Sequence, residues 1–240
     1  MMNTNIFKRV VVITGASRGI GKECAIKLAQ PGTTLILMAR KKEDLDLVAK
    51  ECLALGANPH SLPIDLLKDN LKEVLSNIKS QFGNIDILIN NAGVWIEEPF
   101  EYGDMNAWDD ALDVNLKSAI HLTRYCLDDM PEGGSVIFIG STASRKTYAG
   151  GTNYCAAKFG LLGFANSLFE DIRERGIKVC SILPGVVNTD MHKDDLSFTP
   201  EKMIQPEDVA ATVQFVLSTP SNICPTEITL LPQKNPKNRR

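Results

Sequence analysis

Residues 9–21, RVVVITGASRGIG, join a run of β-branched apolar residues to a glycine-rich turn and then to apolar residues at helical spacing. No other feature constrains the fold as strongly. A continuous apolar run without alternation predicts a strand buried on both faces of a parallel sheet. Parallel neighbours cannot be joined by a hairpin, so a crossover helix must follow. The spacing predicts that helix over 20–29, and Pro31-Gly32 ends it before the next apolar run at 34–38.

The alternation continues to the far end of the chain. Further strands are expected over 60–64, 86–90, 135–139, 178–183 and 227–231, and helices over 43–55, 67–82, 106–129, 153–175 and 206–218. Strands alternating strictly with helices imply right-handed crossovers and helices on both faces, a doubly wound α/β fold with a seven-stranded parallel sheet. A chain of 240 residues suits one such domain over 1–240, with residues 232–240 read as a frayed basic tail.

Composition excludes several classes of function. A net charge of −3 offers no field of one sign for nucleic acid or an anionic membrane. No apolar run approaches the roughly 20 residues of a membrane span, and residues 1–8 lack a leader pattern, so a cytoplasmic location is expected. Six cysteines (Cys24, Cys52, Cys126, Cys155, Cys180 and Cys224) lie scattered, without a CxxC pair or metal-like spacing to His. They read as reduced packing residues, and no metal is expected. The expected partner is a small molecule.

Gly15, Gly19 and Gly21 stand where backbone must turn and come close to a pyrophosphate, just before a helix N-terminus with its free N–H groups. Dinucleotide sites place an acidic residue at the end of the second strand for the ribose hydroxyls, or a basic one for a 2′-phosphate. Here that strand ends in Met38-Ala39-Arg40-Lys41, and Arg18 in the glycine loop can reach the same group. NADP is therefore expected rather than NAD. Asp65 and the stretch Asn90-Asn91-Ala92-Gly93 end later strands, where open α/β sheets bind ligands, although as bare residues they serve equally well as turn formers.

Tyr154 and Lys158 are four apart on one expected helix, so the side chains share a face. An ammonium nearby stabilises a phenolate and brings a phenol, with its pKa near 10, within range of proton exchange. Ser141, Thr142 and Ser144 follow the fifth strand at the same sheet edge, and any of the three hydroxyls could bind a substrate oxygen.

These motifs together resemble the short-chain dehydrogenase/reductase family, with its single Rossmann-fold domain, over nearly the full length. The family's glycine motif matches Gly15, Gly19 and Gly21, its adenine-side Asp matches Asp65, and its NNAG matches residues 90–93. Its catalytic Asn matches Asn115, its YxxxK matches Tyr154 and Lys158, and its PG matches Pro184-Gly185, with Thr189 near the carboxamide. The family's Ser stands thirteen before the Tyr, which selects Ser141. The resemblance implies catalytic roles for Ser141, Tyr154, Lys158 and Asn115, the last holding a water that links Lys158 to solvent. It extends the cofactor contacts to Ser17, Ile20, Leu66 and Val187. It also implies an NADPH-dependent reductase of a ketone, such as a 3-oxoacyl thioester, similar to 3-oxoacyl-acyl-carrier-protein reductases. The same residues serve oxidation of a secondary alcohol or 3-hydroxy acid with NADP. A non-catalytic NADP(H) sensor or scaffold is the reading of another class, against which the intact catalytic set argues.

The apolar circumference of the helix carrying Tyr154 suggests a homo-oligomer, and the resemblance implies that this helix and the long one before it form the interface of a dimer or tetramer. Tyr148 is a rival proton donor without a Lys at the required offset and is expected in the pocket wall. Trp95, Ile96, His192, Leu196 and Phe198 fall in loops expected near the substrate.

Overall fold

The computed structural model describes residues 9–191 and 195–237. Seven strands form one parallel sheet: β1 (Val10–Thr14), β2 (Thr34–Ala39), β3 (Asn58–Pro63), β4 (Ile87–Asn90), β5 (Ser135–Ile139), β6 (Lys178–Pro184) and β7 (Glu227–Leu230). Their order is β3-β2-β1-β4-β5-β6-β7, so the winding reverses between β1 and β4. The helices are α1 (Gly19–Leu28), α2 (Lys42–Ala54), α3 (Leu71–Phe82), α4 (Met105–Leu112), α5 (Ser118–Leu127), α6 (Thr152–Ile172) and α7 (Pro206–Ser218).

Side chains alternate across each strand, and β1 divides its valines accordingly. Val11 and Ile13 enter a core with Ala25 of α1, Val48 of α2 and Val213 of α7. Val10 and Val12 enter a second core with Leu75 of α3, Leu122 of α5 and Leu161 of α6. The sheet is therefore covered on both faces, as the unbroken apolar run of β1 predicts. The strands reach the same carboxyl edge, and the reversal beside β1 opens a crevice there.

Three elements depart from expectation. The third strand spans Asn58–Pro63 instead of 60–64, pairing Thr34 with Asn58 through Ala39 with Pro63. It is an edge strand, where Pro59 and Pro63 cost no ladder hydrogen bond on the open side. Helix α3 begins at Leu71 instead of residue 67, because Asp65 accepts the Leu67 N–H (3.1 Å) in a tight turn and Asn70 then caps the helix through the Glu73 N–H. The helix expected over 106–129 is interrupted by a π turn at Asp113–Lys117, in which the Ser118 N–H bonds the Asp113 carbonyl.

The basic tail is folded back as far as it is described. The Thr199 N–H donates to the Pro236 carbonyl (2.8 Å), Phe198 and Lys237 form an antiparallel bridge, and the Lys237 Nζ stands 5.7 Å from the Phe198 ring centre. This pairing is between residues distant in sequence, which local composition does not report. No helix among the described residues is long and apolar enough to cross a membrane.

Candidate active site

The glycine loop turns between β1 and α1 with φ of +64° at Gly15 and +53° at Gly19, a region that L side chains avoid. Gly21 is required for space: a Cβ there would lie 2.3 Å from the Gly15 carbonyl oxygen and 2.5 Å from the Asn91 Nδ2. Gly21→Ala is thus expected to destabilise the fold by about 1–3 kcal/mol, the range for overpacking. Urea denaturation measures this, and an unchanged midpoint would mean the loop yields freely.

Thr14, the last residue of β1, ties this loop to the end of β4. Its Oγ1 accepts from the Asn91 N–H (3.0 Å) and the Ala92 N–H (2.9 Å). The Asn91 amide in turn donates to the Thr14 and Gly15 carbonyls at 2.9 and 3.2 Å. The Asn91 side chain is therefore a latch for the glycine loop, leaving main chain to face the crevice. A polar residue closing an otherwise apolar strand is the one sequence signal for Thr14.

Gly93, Asn115 and Lys158 meet beyond the latch. A Cβ on Gly93 would stand 2.8 Å from the Asn115 Oδ1 and 3.7 Å from the Lys158 Nζ. The Asn115 amide is bonded twice to Val94, accepting from its N–H (3.1 Å) and donating to its carbonyl (2.8 Å). The π turn presents Asn115 to this loop, and π turns are frequent at functional sites. With the carboxamide held by Val94, a water on Asn115 requires its main chain.

Lys158 is buried on α6 and donates to the Ile139 carbonyl (3.1 Å). Its Nζ lies 5.6 Å from the Tyr154 ring centre. Burial lowers the ammonium from the usual 10.5 to about 8. Burial pushes the Tyr154 phenol up to about 12, against the lowering expected from the Lys158 ammonium, because desolvation outweighs it, and only the hydrogen bond with Ser141 opposes that rise. Of the three hydroxyls after β5, Ser141 alone is brought to Tyr154 among the described residues. Ser144 is buried without a hydrogen-bond partner among them. Ser141 also accepts the Ala143 N–H (3.1 Å), capping the short turn at Thr142–Ser144. Two more positioning contacts were missed in the sequence. Asn153 donates to the Trp108 carbonyl (2.9 Å), fixing the start of α6 against α4, and Arg145 grips Glu227 at the head of β7 (2.5 Å).

The remaining expected residues divide. Arg40 is exposed at the end of β2, and no acidic side chain stands in the first turn of α1, so the N–H groups there suit an anion. Ser17 opens on a groove between α1 and α2. Ile20, Leu66 and Val187 turn their side chains into the cores, leaving only main chain for a ligand. Asp65 is engaged by its own turn and by Lys68 (3.5 Å). Pro184 ends β6, Gly185 bonds the Leu230 carbonyl (2.8 Å), and the Thr189 methyl reaches to within 3.2 Å of a Cβ position on Gly19. Arg18, expected at a 2′-phosphate, instead pairs with Asp190 (3.0 Å). Trp95 donates to the Tyr148 hydroxyl (2.8 Å), forming an aromatic wall, whereas Leu196 is 88% exposed and His192 lies outside the described residues.

The family model for short chain dehydrogenases matches residues 9–199. This chain belongs to the short-chain dehydrogenase family. An uncharacterised oxidoreductase of Staphylococcus epidermidis is 30% identical over 227 residues, covering 94% of this chain and 97% of that protein. The 3-oxoacyl-acyl-carrier-protein reductase of Salmonella typhimurium is 35% identical over 186 residues, 76% of this chain and 75% of that one. A blue fluorescent protein from a metagenomic library, solved in complex with NADPH, superposes with a TM-score of 0.87 at 26% identity, covering 95% and 98% of the two chains. The short-chain dehydrogenase described here is accordingly an oxidoreductase with a nicotinamide-cofactor fold. No group of residues suited to a metal ion occurs among its described residues.

Proposed function

We propose that this dehydrogenase is an NADPH-dependent reductase of a small ketone, with Tyr154 as proton donor. The observation that carries the reading is the meeting of the Tyr154 hydroxyl, Ser141 and buried Lys158 at the sheet edge that also holds the glycine loop. Bound NADPH would supply the hydride. Arg40 would take its 2′-phosphate, and the free N–H groups of α1 its pyrophosphate. The relatives solved or named with NADP(H) support the choice of cofactor.

The remaining steps belong to side chains of this chain. Ser141 donates a hydrogen bond to the substrate oxygen and holds it beside the Tyr154 hydroxyl, which strengthens as charge develops there. Tyr154 releases its proton to that oxygen. Lys158 stabilises the phenolate that forms, and Asn115 holds the loop at Gly93 and Val94 that bounds the ammonium. A phenol at about 12 remains protonated at neutral pH, as an acid donor must.

The wall formed by Trp95 and Tyr148 and the similarity to 3-oxoacyl reductases support a 3-oxoacyl thioester or a ketone of like size. The test is loss of NADPH absorbance across a panel of ketones that includes 3-oxoacyl thioesters. Turnover of one class with NADPH preferred over NADH bears the reading out, and no turnover with any carbonyl overturns it.

We further propose a homo-oligomer. The outer face of α6 exposes Ala156, Phe159 and Gly163, and a Cβ on Gly163 meets nothing within 4 Å, so a second helix can approach closely. Size-exclusion chromatography with light scattering should give a dimer or tetramer mass, and a monomer mass would refute the assembly.

A further inference from the structure

Arg18 and Asp190 stand on opposite lips of the crevice. Arg18 is the residue before α1, and its own side chain makes no cap hydrogen bond. Asp190 follows Thr189 in the segment after β6, 172 positions further along the chain. The Arg18 Nη1 and Asp190 Oδ2 are 3.0 Å apart, and beside them the Thr189 methyl would lie 3.2 Å from a Cβ added to Gly19, so the lips approach closely there. Both charged side chains are open to water, at 71% and 52% exposure. Such a pair is weak and exchanges readily for a better partner.

We propose that Asp190 is a specificity-determining residue that competes with the cofactor's 2′-phosphate for Arg18. The proposal rests on the NADP reading above. Arg40 makes no hydrogen bond or ion pair among the described residues, so its guanidinium can be given wholly to the phosphate. Arg18 is divided. A phosphate dianion offers three acceptor oxygens and binds a guanidinium more strongly than one exposed carboxylate does. NADP(H) therefore draws Arg18 away from Asp190. NAD(H), which lacks that phosphate, leaves the pair in place. The carboxylate thus subtracts from the affinity for NADP(H) and is indifferent to NAD(H), which narrows the discrimination that two arginines would otherwise give.

The test is calorimetric titration of NADP⁺, NAD⁺, 2′,5′-ADP and 5′-AMP into the intact protein at fixed low salt. Asp190→Asn is expected to tighten NADP⁺ and 2′,5′-ADP by about two- to fivefold, the worth of an exposed ion pair, and to leave NAD⁺ and 5′-AMP unchanged. In an Arg18→Met background the same substitution should have no effect. Equal tightening of NAD⁺ would reveal a general field effect of the carboxylate and overturn the competition, as would a gain that survives in Arg18→Met. Arg40→Met separates this idea from the reading beneath it. If Arg40→Met weakens NADP⁺ selectively while Asp190→Asn changes nothing, only the competition is refuted. If the unsubstituted protein binds NADP⁺ and NAD⁺ alike and Arg40→Met alters neither, the cofactor reading fails and the competition with it.

Discussion

Tyr154→Phe should reduce ketone turnover by about 10²–10⁴-fold, the contribution typical of a positioned general acid, while leaving NADPH binding within about twofold. The substitution removes one hydroxyl and retains the ring that lies 5.6 Å from the Lys158 ammonium. Ser141 loses the phenol but keeps the Ala143 N–H, so the turn after β5 stays capped. The thermal midpoint should fall only slightly, because the ring packing is kept and a single hydrogen bond, that between Tyr154 and Ser141, is lost, worth about 0.5–1.5 kcal/mol. Steady-state kinetics paired with calorimetric NADPH binding reads both halves. Loss of binding would mean that the phenol supports the cofactor instead of the proton. Retained turnover would transfer the role of acid to Tyr148, whose hydroxyl accepts from Trp95, and Tyr148→Phe would then be the substitution that loses turnover.

Lys158→Met should abolish turnover to a similar degree and yet make the apo protein more stable. Methionine approximates the volume of the lysine stem and places no charge in a site that is 4% exposed. The pH dependence gives the sign. Burial depresses the ammonium from 10.5 to about 8, so between those values the unfolded chain binds a proton that the folded chain does not. Stability of the unsubstituted protein therefore rises with pH across that window and is lower, by on the order of 2–4 kcal/mol, at and below pH 8. Lys158→Met lacks the rise. The advantage of the methionine variant should be full at pH 7 and vanish by about pH 10.5. Denaturant midpoints for the two proteins at pH 7, 8.5 and 10 test this, and parallel profiles would mean that Lys158 is solvated in the folded state. A site that costs stability when empty is what a catalytic lysine in an apolar setting should look like.

How far the sequence could be read followed the range of the interactions involved. The β1 junction, the alternation and the order of elements rest on local periodicity, and these came through as a doubly wound sheet. Tyr154 and Lys158 are one helical turn apart, so their spacing already implied contact. Asn115 is different: its partner Val94 lies 21 positions away, and no Pro or Gly marks the π turn, so only the resemblance to a family pointed to it. The place of Arg18 in the loop points to a phosphate, whereas its pairing with Asp190 bridges 172 positions that no local pattern connects. Thr14, Asn153 and the folded-back tail at Phe198 and Lys237 belong to the same class of contact. Sequence position does not say which way a side chain faces, so the core-facing side chain of Val187 is visible only in the fold, where its main chain is what remains for a ligand.

The π turn between α4 and α5 has a consequence for how such a chain can vary in length. One surplus residue within Asp113–Lys117 sets the angular offset between the two helices. Deleting Asp113, Val114, Leu116 or Lys117 would let an ordinary helix run straight through, turning α4 by about 100° relative to α5. The buried faces would each find new neighbours and a soluble α/β protein could survive, but Trp108 would no longer meet Asn153, nor Asn115 meet Val94. A lineage could therefore lose its chemistry through a three-nucleotide deletion without altering any residue that does the chemistry, and inactive descendants of this architecture would be recognisable by helix length before any change in Ser141, Tyr154 or Lys158.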